Sequence, residues 1–133
     1  MGTMATLETL KTALAGIAGI ASCKIGLEAD MTPASYPMIR IVPERMADAV
    51  VYARQSIEFT IFFAMAQQPF DNVADGSGRT RLEKLYAALF TLEASIKTVL
   101  LQQGGRFIET MTDEDQITTY KVMAMRADIE GFS

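Results

Sequence analysis

The chain has no histidine, no tryptophan and a single cysteine among its 133 residues. Without histidine it lacks the side chain that most often serves as general base and metal ligand near neutral pH. One cysteine rules out any disulfide within the chain. Most metal-dependent and nucleophilic chemistries therefore have no carrier. Positive charge is scarce too: 12 Lys and Arg stand against 16 Asp and Glu, a formal charge of −4. Such a surface cannot grip phosphates by releasing counterions, so tight nucleic-acid binding is not expected. No apolar run reaches the roughly 20 residues of a membrane span. There is no linker, repeat or low-complexity tract, and the length fits one domain, 1–133.

Two short patterns bear on targeting. Ile20-Ala21-Ser22-Cys23 has the form of a bacterial lipoprotein cleavage box, and Gly2 with Thr6 meets the bare myristoylation pattern. Glu8 offsets Lys11, so no basic segment precedes the first, and Ala and Gly stand where a signal sequence wants Leu. Nothing polybasic follows the second. The chain is read as soluble, without membrane or lipid attachment, either intracellular or part of a particle.

What the chain does have is apolar surface. Half its residues are hydrophobic, and its mean hydropathy of +0.18 is high for a domain of this size, which has much surface to cover. Self-association would explain the excess. Nine Met residues suit an adaptable core or adaptable contact surfaces equally.

Apolar periodicity gives the elements. Leu7, Leu10, Leu14, Ile17 and Ala21 recur every three or four residues, which predicts a first helix over 6–21 that Gly16 and Gly19 weaken. Cys23, Ile25 and Leu27 alternate as a short strand, and Met38 to Val42 is a second, bracketed by Pro37 and Pro43. Glu44 to Gln55 reads as a long hairpin connection. From Ser56 to Ala66 the alternation is strong: Ile57, Phe59, Ile61, Phe63 and Met65 form a core face. Phe62 and Ala64 make the opposite face too apolar for full solvation, so a second layer or a second subunit should cover it. The turn-rich loop Gln67 to Arg79 leads to a second helix over 80–103. Thr80 and Glu83 form its capping box, Leu82, Leu85, Leu89, Leu92, Ile96 and Val99 its stripe, and Gly104-Gly105 its end. Phe107 to Thr112 and Ile117 to Arg126 are two last strands around the tip Asp113-Glu114-Asp115, with a short tail from Asp128.

The order α-β-β-β-α-β-β predicts an α+β fold: a mostly antiparallel sheet of about five strands with two helices on one face. Strands two and three, and four and five, are expected as antiparallel hairpins.

None of the local motifs carries chemistry. Gly76-Ser77-Gly78-Arg79-Thr80 opens a helix, where free amides can hold an anion, but it lacks the P-loop lysine and follows Asp71 and Asp75. A loop with a helix cap is the better reading. Cys23 has only Lys24 nearby to activate it, and adjacent strand residues point to opposite faces, so a buried, inert thiol is expected. Three consecutive acids at 113–115 can approach a hard cation, yet at a hairpin tip they more simply stay hydrated. No carboxylate pair is singled out for acid–base work, and Tyr86 and Tyr120 have no more support. The expectation is no catalytic residue, no metal and no cofactor. Helix two is too short, and lacks the opposed charges, for a coiled coil.

In element order, length, amphipathic first helix, the hairpin around Glu44 to Gln55, the long second helix after a Gly/Asp loop and the closing strands, nearly the whole chain resembles the tail-terminator or tail-completion proteins of long-tailed, siphophage-type phages. That resemblance implies a non-enzymatic virion protein of the tail and neck, assembled in the host cytoplasm. It implies a hexameric ring that caps the tail tube, joins it to the neck connector, and lets DNA pass through its lumen without tight binding. On that footing the first candidate contact with a neighbouring subunit or the tube is Met46 to Arg54, with Val50, Val51 and Tyr52 as apolar anchors and Arg54 as a rim charge. The loop carrying Asp71, Asp75 and Arg79 is second. Asp113, Glu114 and Asp115 are candidates for an acidic lumen or a solvated tip. Two other readings stay open: a small oligomeric module holding an apolar ligand beneath its helices, and a small isomerase- or cyclase-like enzyme using carboxylates or Tyr.

Overall fold

A computed structural model describes residues 3–26, 37–48, 54–66, 81–113 and 120–132. It contains α1 (Thr3–Ala15), β1 (Ser22–Ile25), β2 (Met38–Asp48), β3 (Arg54–Ala66), α2 (Arg81–Gln102), β4 (Gly105–Asp113) and β5 (Tyr120–Phe132). The five strands form one sheet in the order β1-β2-β3-β5-β4. Every pairing is antiparallel except β1 with β2. The fold is α+β in the predicted element order.

Alternation in the strands and the three-to-four spacing in the helices meet in one core. On the sheet it comprises Ile39, Ile41, Ile57, Phe59, Ile61, Phe63, Met123, Met125, Ala127 and Ile129. Leu7, Leu10 and Leu14 of α1 and Leu85, Leu89, Leu92, Ile96 and Leu100 of α2 pack onto it. α1 lies over β1 and β2, and α2 over β3 and β4.

α1 stops at Ala15 instead of running to residue 21. The Gly16 and Ile17 amides bond to the Ala13 and Leu14 carbonyls, at 3.2 and 3.1 Å, tightening the last turn. Gly19 then takes φ +87°, which a side chain would resist. Ile17 and Ile20 still reach the core from this turn, so the apolar spacing outlasts the helix that suggested it.

α2 matches its predicted span within a residue at either end. Gly104, at φ +82°, closes it, and Gly105 passes so close that a Cβ there would sit 2.3 Å from Leu100 Cδ1 and 3.1 Å from the Leu100 carbonyl oxygen. Leu100 is fully buried and has nowhere to go. Gly105→Val is therefore expected to destabilise the chain by about 1–3 kcal/mol, read as a lower urea midpoint with unchanged slope. A wild-type midpoint would show that the helix-to-β4 turn is looser than described.

Several strand boundaries differ from the sequence reading. Pro43 does not end β2, which continues to Asp48. The ladder steps from Pro43 opposite Phe59 to Arg45 opposite Glu58, leaving Glu44 as an extra residue, and a bulge is where a strand tolerates proline. β1 has already ended opposite Ile41, so among the described residues β2 there pairs with β3 alone. The long connection of Glu44 to Gln55 is consequently replaced by paired strand on both sides. Likewise β5 starts at Tyr120 and takes in the supposed tail, with Asp128 to Phe132 pairing Glu58 to Arg54. Buried Ile129 opposite Ile57 anchors that extension.

The face of β3 opposite the helices is covered within the chain itself. Ala64, Thr60, Met38 and Arg40 are buried there, although Phe62 is only partly so. A second subunit is not required to protect them.

Candidate functional site

The ladder registers fix where the predicted contact residues lie along the sheet. Met46 pairs with Ile57 in the β2–β3 ladder, and Arg54 opens β3 opposite Phe132. Both are strand positions near one end of the sheet. Val50, Val51 and Tyr52 lie outside the described residues, as do Asp71, Asp75, Arg79, Glu114 and Asp115. Asp113 is the last residue of β4, opposite Val122, and Val122 pairs with Ala64, which pairs with Met38. Met46 and Arg54 therefore lie toward one end of the sheet and Asp113 at the other.

The two flanks also differ. One ends in β1, four residues long, beneath α1, where Met4 is exposed. The other ends in β4, whose ladder is bulged between Phe107 and Glu109, with Ile108 and Met111 exposed. A bulge and a short strand are two ways of blunting sheet edges against indiscriminate pairing. Large apolar side chains beside such an edge favour a specific side-chain contact. Following the pairings across the sheet, β4 runs opposite in sense to β1.

Away from the helices the sheet carries charge. Arg126 donates to Glu109 at 3.0 Å and Arg106 to Asp128 at 2.6 Å. Bonding and attraction to Glu109, with smaller contributions from Glu44 and Glu58, push the exposed Arg126 guanidinium above its ordinary value. The Thr60 hydroxyl donates to Glu44 at 2.5 Å, tying the bulge down. Ion pairs this exposed add little stability; they set the sign of the surface. Further toward β1, Arg40 is buried on the same face and donates to Ser22 at 3.0 Å and to the Ile39 carbonyl at 2.9 Å. Sequence reasoning missed this arginine, because a strand charge is expected to point at water.

Cys23 is half-buried on the core side of β1, its Sγ 3.6 Å from the Lys11 carbonyl oxygen. Burial raises its pKa above the ordinary 9.0 and outweighs the opposing pull of Arg40 and Lys11, so the thiol stays protonated at neutral pH. The unfolded thiol ionises first, so this group's share of stability is intact below pH 9 and is lost as pH rises beyond it. Alkylation by iodoacetamide at pH 8.5 should be at least roughly tenfold slower in the native chain than in urea; equal rates would mean an open, activated thiol.

Beside the turn after α1 lies an apolar pocket of about 300 Å³, between Ile17, Ile20, Pro37, Met65, Leu92 and Ser95. None of its lining residues is titratable, so it offers no acid or base. Among the described residues no three His, Cys, Asp or Glu converge as a metal site, and no helix is long and apolar enough to cross a membrane.

The outward face of α2 carries apolar side chains that the leucine stripe does not include. Phe90 and Leu101 are 54% and 64% exposed, and the Tyr86 and Phe90 rings stack with centroids 6.0 Å apart. The signal was available as Tyr86 to Phe90 at four-residue spacing, off the leucine stripe. The sequence matches no family model and no curated protein.

Proposed function

We propose that the chain is a structural virion assembly protein of the tail-terminator kind, forming a hexameric ring that caps the tail tube and meets the neck. What carries the reading is the difference between the sheet's flanks. A head-to-tail ring uses two different surfaces on opposite sides of each subunit. The β1–α1 flank with Met4 and the β4 flank with Ile108 and Met111 supply such a pair. Because β4 and β1 run in opposite senses, neighbours turned the same way up would meet with these strands antiparallel. The two ends of the sheet then take the remaining contacts: the end with Met46 and Arg54 reaches a neighbouring subunit or the tube, and the end with Asp113 faces the lumen.

An acidic chain suits a lumen through which DNA slides. Replacing Ile108 and Met111 together with Asp should block ring formation by burying two charges in the contact while circular dichroism and the urea midpoint stay near wild type. Rings that form normally would remove the β4 flank from the interface.

The 300 Å³ pocket favours a ligand-binding module as the second reading, since that volume is the lower limit for a small-molecule site. The space beneath the helices is filled by core side chains, so an apolar ligand would enter at the α1 end. Saturable binding of a small apolar fluorophore, abolished by Ser95→Phe, would support that reading over the ring.

A further inference from the structure

On α2 the exposed positions after Glu83 are Phe90, Thr91, Ala94, Thr98, Leu101 and Gln102, none of them charged, in a chain with 21% charged residues. The Thr91 and Thr98 hydroxyls bond to the helix's own carbonyls at Ala87 and Ala94, each at 3.0 Å, so their polar atoms are engaged within the helix. At the N-terminal half, Glu83, Tyr86, Ala87 and Phe90 border an open depression of about 440 Å³. Phe90 and Leu101, more than half exposed on this uncharged stretch of helix, mark it as a contact surface.

Charge selects the occupant. Glu83, Phe90 and Lys97 are spaced by seven residues and share one stripe. Lys97 is held at this side of the helix, 3.4 Å from Glu93 and with Nζ 4.1 Å from the Phe107 ring centroid. We propose that this face packs against the same face of a second copy of the chain, the two α2 helices antiparallel about a two-fold axis at Phe90. That register sets Glu83 of each copy against Lys97 of the other, twice. The two Phe90 rings meet between the depressions, and the helix dipoles oppose. A parallel pairing would instead set Glu83 against Glu83 and Lys97 against Lys97. The contact is independent of the ring reading, because a two-fold contact uses one surface twice while a ring uses two different ones.

The test is a cross-link in a Cys23→Ser background. Two Cα atoms must come within about 7 Å for a disulfide, and helices packed 8–10 Å apart meet that only at the axis and at matched positions. Oxidation should dimerise F90C but not Q102C, and a mixture of E83C and K97C should cross-link well beyond either alone. By light scattering, E83K or K97E alone should weaken self-association roughly tenfold, and the double variant should restore it. The E83C and K97C arm keeps Phe90 in place, so it reads the register even if F90C weakens the contact. Absence of the E83C–K97C cross-link, F90C linking no better than Q102C, or a double variant as weak as the singles would overturn the proposal.

Discussion

Phe63→Ala is expected to cost about 3–5 kcal/mol of folding stability, a large part of the roughly 5–15 kcal/mol that holds a domain together. Phe63 is fully buried in β3, with Ile39 of β2 and Met123 of β5 as its ladder partners. β3 makes its pairings on both sides, so the backbone around the deleted ring is pinned and the cavity has little scope to collapse. The neighbouring Phe62 faces the other side of the sheet and is only partly buried. Phe62→Ala should cost less than half as much. Urea denaturation with equal slopes compares the two directly, and equal losses would mean that the alternation of β3 is misassigned.

The largest expected effect on assembly comes from the residues that precede β3 in the chain. Val51→Ser with Tyr52→Asp should abolish assembly and leave the monomer folded, because these residues are proposed as apolar anchors of a contact rather than as core. Fully buried anchors of this size carry a disproportionate share of an interface, on the order of 2 kcal/mol or more each. A buried unpaired Asp adds a desolvation penalty. β2 and β3 are paired up to Asp48 opposite Gln55. Native mass and circular dichroism read the two outcomes separately. An unfolded product would place Val51 and Tyr52 in the core and remove them from the interface.

α2 and β3 could be read from the sequence because each satisfies a single period over its whole length: leucines every three or four residues, and Ile57 to Phe63 every two. The boundaries that failed depend on partners distant in the chain. Pro43 ends a strand only where a neighbouring strand needs its missing amide, and a bulge opposite Phe59 and Glu58 relieves that need. Asp128, Glu130 and Gly131 look like a polar tail until β3 is seen to begin at Arg54. Arg40 was hidden because its burial is a property of what packs over it. For the contact surfaces, composition announced apolar excess but not its location. Ile108 owes its exposure to the β4 bulge, and Phe90 and Leu101 were masked by the stronger stripe on the same helix.

The measurement closest to the central claim is the native mass of the purified chain, with negative-stain imaging of the same sample. A ring reading predicts six copies of the 14.6 kDa chain, about 88 kDa, or twice that where α2 contacts pair two rings, and particles with an open centre. A chain that remains a monomer, or stops at a two-fold dimer with no open-centred particle at the highest attainable concentration, would contradict it.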